Sequence, residues 1–183
     1  KYALCVSTNA PTQRVNYGTS DALNATFGDG ATACVVSAED RRGLQLLSNK
    51  FSVDAKRTAN HELDTLGYLT SKPAKAEDVR GQATEIFEQL VADPAIANNR
   101  SQVKIFWSTR NTSIAKEVSG AFGFNDAQVM NDFSLHGDML GSSSLHGLAE
   151  GWQTLSPGDR VVVIVADGGL QSGCATFLVG QEG

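Results

Sequence analysis

The side chains equipped for chemistry in this sequence are few and scattered. Cysteines stand at Cys5, Cys34 and Cys174, and histidines at His61, His136 and His146. A working cysteine must be a thiolate, which requires a polar or electropositive setting. Cys5 and Cys34 instead fall inside apolar runs and Cys174 follows a glycine, the pattern of inert buried thiols. No two histidines lie at i, i+4, the helical spacing of a metal pair, so no metal site is expected. His61 lies in a polar stretch and reads as solvated. His136 differs, because in His136-Gly137-Asp138 a strand would put imidazole and carboxylate on one face. That arrangement offers an acid/base pair, although an ordinary surface pair is the plainer reading.

Two further segments invite a functional reading. Phe27-Gly28-Asp29-Gly30 offers a cradle for an anion, but it has neither the G-x-G-x-x-G spacing nor a following Lys-Ser/Thr. A tight turn with a side-chain hydrogen bond from Asp29 is the better expectation. Gly141-Ser142-Ser143-Ser144-Leu145 lacks the second glycine of a nucleophile elbow. One of Ser142, Ser143 and Ser144 is expected to cap a helix instead.

The elements that must position these residues follow from apolar spacing. Tyr2 to Val6, Ala31 to Ala38, Gly43 to Val53, Val103 to Trp107, Val161 to Ala166 and Cys174 to Val179 read as strands. Val79, Ala83, Ile86, Phe87, Leu90 and Val91 recur at three and four, lining one face of a helix that Asp93-Pro94 ends. Ile114, Val118, Ala121 and Phe122 mark a second helix, stopped at Gly123. A third is expected from about Ser143 to Leu155, with Leu145, Leu148, Trp152 and Leu155 on one stripe. Residues 54–74 read as a polar surface loop. Strands alternating with helices give an α/β class, and residues 1–183 read as a single domain.

Composition narrows the function. The chain has 183 residues and a formal net charge of −5, so phosphate backbones would repel it and no nucleic-acid grip is expected. The longest apolar run, Val161 to Ala166, is far too short to span a membrane. An odd, widely spaced set of cysteines argues against a disulfide framework or a zinc site, and a cytoplasmic location is the default. The opening in mid-strand, at Lys1-Tyr2-Ala3-Leu4, reads as a fragment of a longer polypeptide.

Several motifs, taken in order, resemble the C-terminal half of ketoacyl synthase III-like enzymes of the thiolase superfamily. Tyr2 to Val6 looks like the strand that opens that half, and Phe27-Gly28-Asp29-Gly30-Ala31 matches the family's F-G-D-G-A. Ser108-Thr109-Arg110-Asn111 occupies the place of H-Q-A-N, and Ile114 to Gly123 resembles the helix that follows. His136-Gly137-Asp138 with Gly141 to Leu148 resembles the G-N-T-S-A-A-S segment. Pro157-Gly158-Asp159 and Asp167-Gly168-Gly169 resemble the closing P-G-D strand and glycine loop.

The resemblance implies a thiolase-like α/β/α/β/α half, with a mixed five-stranded sheet and helices on its faces. It implies acyl thioesters of acyl carrier protein or coenzyme A as substrates, in fatty acid or polyketide biosynthesis, with no other cofactor. Implied partners are the N-terminal half of the same protein, which carries the family's nucleophilic Cys, and a second subunit in a homo- or heterodimer. The family's His reads Ser108 and its Asn reads Asp138, a carboxylate that accepts where the Asn donates. Relatives with Asp at this place transfer acyl groups to oxygen or nitrogen without condensing, but they keep the His. Site residues carried over are Ser108, Asn111, His136, Asp138 and Gly168, with Asp138 orienting a nucleophile, His136 compensating for the missing His, and the Gly168 N–H donating to an oxyanion. The expected function is a non-condensing or degenerate acyltransferase. The alternative is a catalytically inactive structural subunit of a heterodimer.

Overall fold

Two strands run parallel to the strand they flank, and this decides where the later loops meet. The structure, a computed structural model, describes residues 1–18, 26–39, 43–55, 61–71 and 74–180. In chain order it contains β1 (Tyr2–Asn9), β2 (Gly30–Ser37), β3 (Leu44–Val53), β4 (His61–Leu63) and β5 (Leu69–Ser71). There follow α1 (Ala76–Ala92), α2 (Pro94–Ala97), β6 (Val103–Phe106), α3 (Thr112–Ala121), β7 (Val129–Met130) and α4 (Phe133–His136). The chain closes with α5 (Ser143–Glu150), β8 (Arg160–Ala166) and β9 (Gln171–Val179). One mixed five-stranded sheet has the order β3-β9-β8-β6-β7. β6 pairs parallel with both β7 and β8, so the chain leaves all three strands at the same end of the sheet. Loops at the carboxyl ends of parallel strands are where α/β sheets hold ligands.

Strand parity divides the core. Val103, Ile105 and Trp107, with Val162, Ile164 and Ala166, face α1 and α3, where Val79, Ala83, Phe87, Leu90, Ile114 and Val118 meet them. Phe106 and Val161 face the other way, against Leu148 and Leu145 of α5. The helical spacings read from the sequence thus produce the packed faces, and α1 ends at Ala92 as Asp93-Pro94 requires. Asp93 then caps α2, its carboxylate accepting from the Ala95 N–H at 2.9 Å.

Three expectations need correction. The helix expected to reach Leu155 stops at Glu150 and passes at Gly151 into a 3₁₀ turn over Trp152–Thr154; Gly151 itself sits where a Cβ would stand 2.4 Å from the Phe106 ring. The segment read as a loop over 54–74 contains the β4–β5 hairpin, while residues 56–60 and 72–73 lie outside the described ones. The side chain of His61 also lies outside what is described. β1 lies apart from the five-stranded sheet: among the described residues it pairs with β2 alone, in an antiparallel ribbon seated on α5 and the turn at Leu140–Ser142. Cys5 and Cys34 face each other across this ribbon and are exposed, not buried.

No helix among the described residues is long and apolar enough to cross a membrane.

Candidate functional site

The loop after β6 carries Ser108 to Asn111, the segment after β7 carries Asn131, and the loop after β8 carries Asp167 and Gly168. Asp138 reaches the same end of the sheet from the turn between α4 and α5. Its position is fixed by the Phe27-Gly28 segment, which forms a parallel bridge with it. The Asp138 N–H donates to Thr26 O at 2.8 Å, and the Gly28 N–H donates to Asp138 O at 3.0 Å. Both glycines at this crossing are sterically required. A Cβ on Gly28 would overlap the His136 carbonyl oxygen, and Gly137 has φ +72 with no room beside Thr26 O. The F-G-D-G motif is therefore a backbone clamp on Asp138. Asp29 does make side-chain hydrogen bonds, to the Thr12 N–H at 3.0 Å and the Thr12 hydroxyl at 2.5 Å.

Asp138 is buried and doubly engaged. Its Oδ1 accepts from the Leu140 N–H at 2.8 Å, closing the turn that leads into α5, and Arg110 Nη2 stands 3.4 Å from its Oδ2. Asp167 lies near enough to this pair to feel both charges. Burial first, then the Asp138 charge, push its carboxyl up to about 6, against the opposing pull of the Thr109 hydroxyl and Arg110. Thr109 donates to Asp167 Oδ1 at 3.1 Å and accepts from the Asn111 N–H at 3.1 Å. Asn131 locks the loop after β6, its Nδ2 donating to Thr109 O at 2.7 Å and its Oδ1 accepting from the Thr109 N–H at 3.3 Å. Ser108 Oγ is buried with no hydrogen-bond partner among the described residues. The centre thus holds two carboxylates, one guanidinium and an unengaged hydroxyl.

The residues expected at the site do not all arrive there. Ser108, Asn111 and Asp138 sit on the converging loops, with Asn111 at the N-terminus of α3. His136 is placed differently from the strand position expected for it. It ends helix α4 rather than lying in a strand, and its ring packs edge-on against His146 with centroids 4.4 Å apart. The Gly168 N–H is not an open oxyanion donor, since it donates to Gln82 Oε1 at 2.7 Å, while Gln82 Nε2 donates to Gly169 O at 2.7 Å. No serine caps α5 through its side chain; Ser142 Oγ instead takes a hydrogen bond from Asn9 Nδ2 at 2.9 Å, fastening β1 to the turn. Sequence reasoning missed Arg110, Asn131, Asp167 and Gln82. Asn131 and Asp167 were findable, as polar residues immediately after strands that end on one side of a parallel sheet, and Arg110 lies in the loop after a third such strand. A depression between α1 and the β3–β9 edge contains none of these residues.

Comparison with known proteins bears on this arrangement. The family model for 3-oxoacyl-[acyl-carrier-protein] synthase III matches residues 1–55. Curated proteins give no match by sequence. The synthase III of Aquifex aeolicus superposes with a TM-score of 0.78 at 18% identity, covering 97% of this chain and 58% of that one. The enzyme of Pseudomonas aeruginosa gives 0.75 at 20% identity, covering 98% and 58%. OleA of Xanthomonas campestris, crystallised with lauric acid and lauroyl-CoA, gives 0.70 at 17% identity, covering 97% and 58%. The chain therefore spans less than two thirds of the length of these structures. With its five-stranded mixed sheet and its helical layers, it carries the thiolase-like fold of 3-oxoacyl-[acyl-carrier-protein] synthase III.

Proposed function

We propose that this chain is part of a ketoacyl synthase III-like acyltransferase that handles acyl thioesters of acyl carrier protein or coenzyme A without condensing them. The observation that carries this reading is the Arg110–Asp138 pair. Condensation develops negative charge on a thioester-derived enolate, and catalysis requires fixed donors aimed at it. Here the position that resembles the family's Asn holds a carboxylate, and the position of its His holds Ser108, a hydroxyl that cannot carry an imidazolium charge. Arg110 offsets the charge of Asp138 but is held by it. The first half of the protein would supply the nucleophile, and a dimer would complete the assembly, with no cofactor beyond the thioester.

The test is acyl-enzyme trapping on a preparation that includes the first half. Incubation with an acyl thioester should add one acyl mass, while an extender thioester should yield no condensed product. A condensed product would overturn the reading.

A second reading, an inactive structural subunit of a heterodimer, is favoured by Gln82, which occupies the Gly168 N–H expected to serve an oxyanion. Under that reading no acyl mass is gained, and the partner subunit carries all turnover.

A further inference from the structure

Outside this centre, three potential metal ligands converge on the α4–α5 side of the molecule. His146 and Glu150 lie four residues apart on α5, which places them on one helix face, and His136 ends α4 opposite them. One ligand atom from each of His136, His146 and Glu150 lies within 4.8 Å of the other two. The two imidazoles are already in edge contact, at 4.4 Å between centroids.

A second, independent feature is the way His146 is held. Its Nδ1 stands 3.1 Å from Asp132 Oδ2. Asp132 is acceptor-only when ionised, so in the neutral ring this contact puts the proton on Nδ1 and leaves the Nε2 lone pair free. A carboxylate behind a ligating histidine is the arrangement that orients the ring and raises its basicity in metal sites. The Asp132 carboxylate is largely buried, and its Oδ1 has no hydrogen-bond partner among the described residues.

We propose that His136, His146 and Glu150 form a binding site for a divalent transition-metal ion of the zinc class, with Asp132 as the positioning residue behind His146. Two imidazole nitrogens and one carboxylate oxygen suit zinc, cobalt or nickel rather than magnesium or calcium, which take oxygen ligands. Three protein ligands leave the fourth tetrahedral position to water or to a group from another molecule. The proposal does not depend on the acyltransferase reading.

The test is titration of the 183-residue chain with zinc chloride by calorimetry, and with cobalt chloride by absorption. The expected result is one ion per chain and tetrahedral cobalt bands in the visible, without the near-ultraviolet charge-transfer band of a thiolate ligand. H136A, an exposed position that leaves α5 intact, should abolish this binding, and E150Q should weaken it. D132N should weaken it by about 10–100-fold with the stoichiometry unchanged. The C5S/C34S double variant should bind as the parent does. Failure to bind, binding that survives H136A, or binding lost in C5S/C34S would overturn the proposal. Circular dichroism of each variant separates lost ligation from lost folding.

Discussion

Arg110 Nη2 stands 3.4 Å from Asp138 Oδ2, with both side chains largely withdrawn from water. Removing one member of such a pair leaves the other uncompensated, a larger loss than the pair itself contributes.

From the sequence alone, D138N looks nearly neutral for stability, since Asn keeps the size and much of the capping. The Arg110 contact reverses that expectation. Asn can still accept from the Leu140 N–H, but Arg110 loses its countercharge except for what Asp167 supplies. D138N should therefore lower stability by about 1–3 kcal/mol, measured as a shift in urea midpoint at pH 7. An unchanged midpoint would show that the pair is energetically idle.

Asp167 should make stability fall with rising pH. Its carboxyl is raised from the ordinary 3.8 to about 6, so between those values the folded chain binds the proton and the unfolded chain does not. Stability contributed by the protonated form is present below about 4 and is lost as pH rises through about 6. At pH 7 the ionised Asp167 costs on the order of 2–3 kcal/mol relative to its neutral form. D167N retains an acceptor for the Thr109 hydroxyl, so its melting temperature at pH 7.5 should exceed that of the parent. At pH 4 the two should melt together, and a gap of equal size at both pH values would refute the assignment.

S108H by itself should not create condensing activity in a preparation that includes the first half. The imidazole would return, but Asp138 would still present a carboxylate where the chemistry requires a donor. Product analysis with an extender thioester decides the matter, and condensed product from the single variant would show that Asp138 is no obstacle.

The chain on its own should self-associate. Leu4 and Val35 stand opposite each other on the β1–β2 ribbon, and both are exposed, as are Tyr2 and Val6. Leaving that face in water forfeits roughly 25 cal/mol per Å² of apolar surface. Sedimentation of the parent should show oligomers that L4D or V35D reduces. A monodisperse parent would instead mean that the ribbon is stable uncovered.

The sequence by itself determined the elements whose signal is local. The three- and four-residue spacing from Val79 to Leu90 yields α1 because a helix brings those residues to one face whatever packs against them. Pro94 ends it for a reason internal to the chain. The apolar runs at Val161 and Val103 yield β8 and β6, and the motif order already resembled the fold found. Partnership was decided only in three dimensions. Hydrophobicity cannot say which sheet a strand joins, so β1 read as core while standing with Cys5 exposed in a ribbon. Sequence spacing cannot say that residues 28 apart form an ion pair, as Arg110 and Asp138 do, nor that residues 86 apart share a hydrogen bond, as Gln82 and Gly168 do. His136 shows the same limit at shortest range. Two residues from Asp138 in the chain, it packs its ring against His146 of another helix. Local periodicity fixes backbone conformation, but the side chains that share a site are chosen by chain crossings that bring distant segments within a few ångströms.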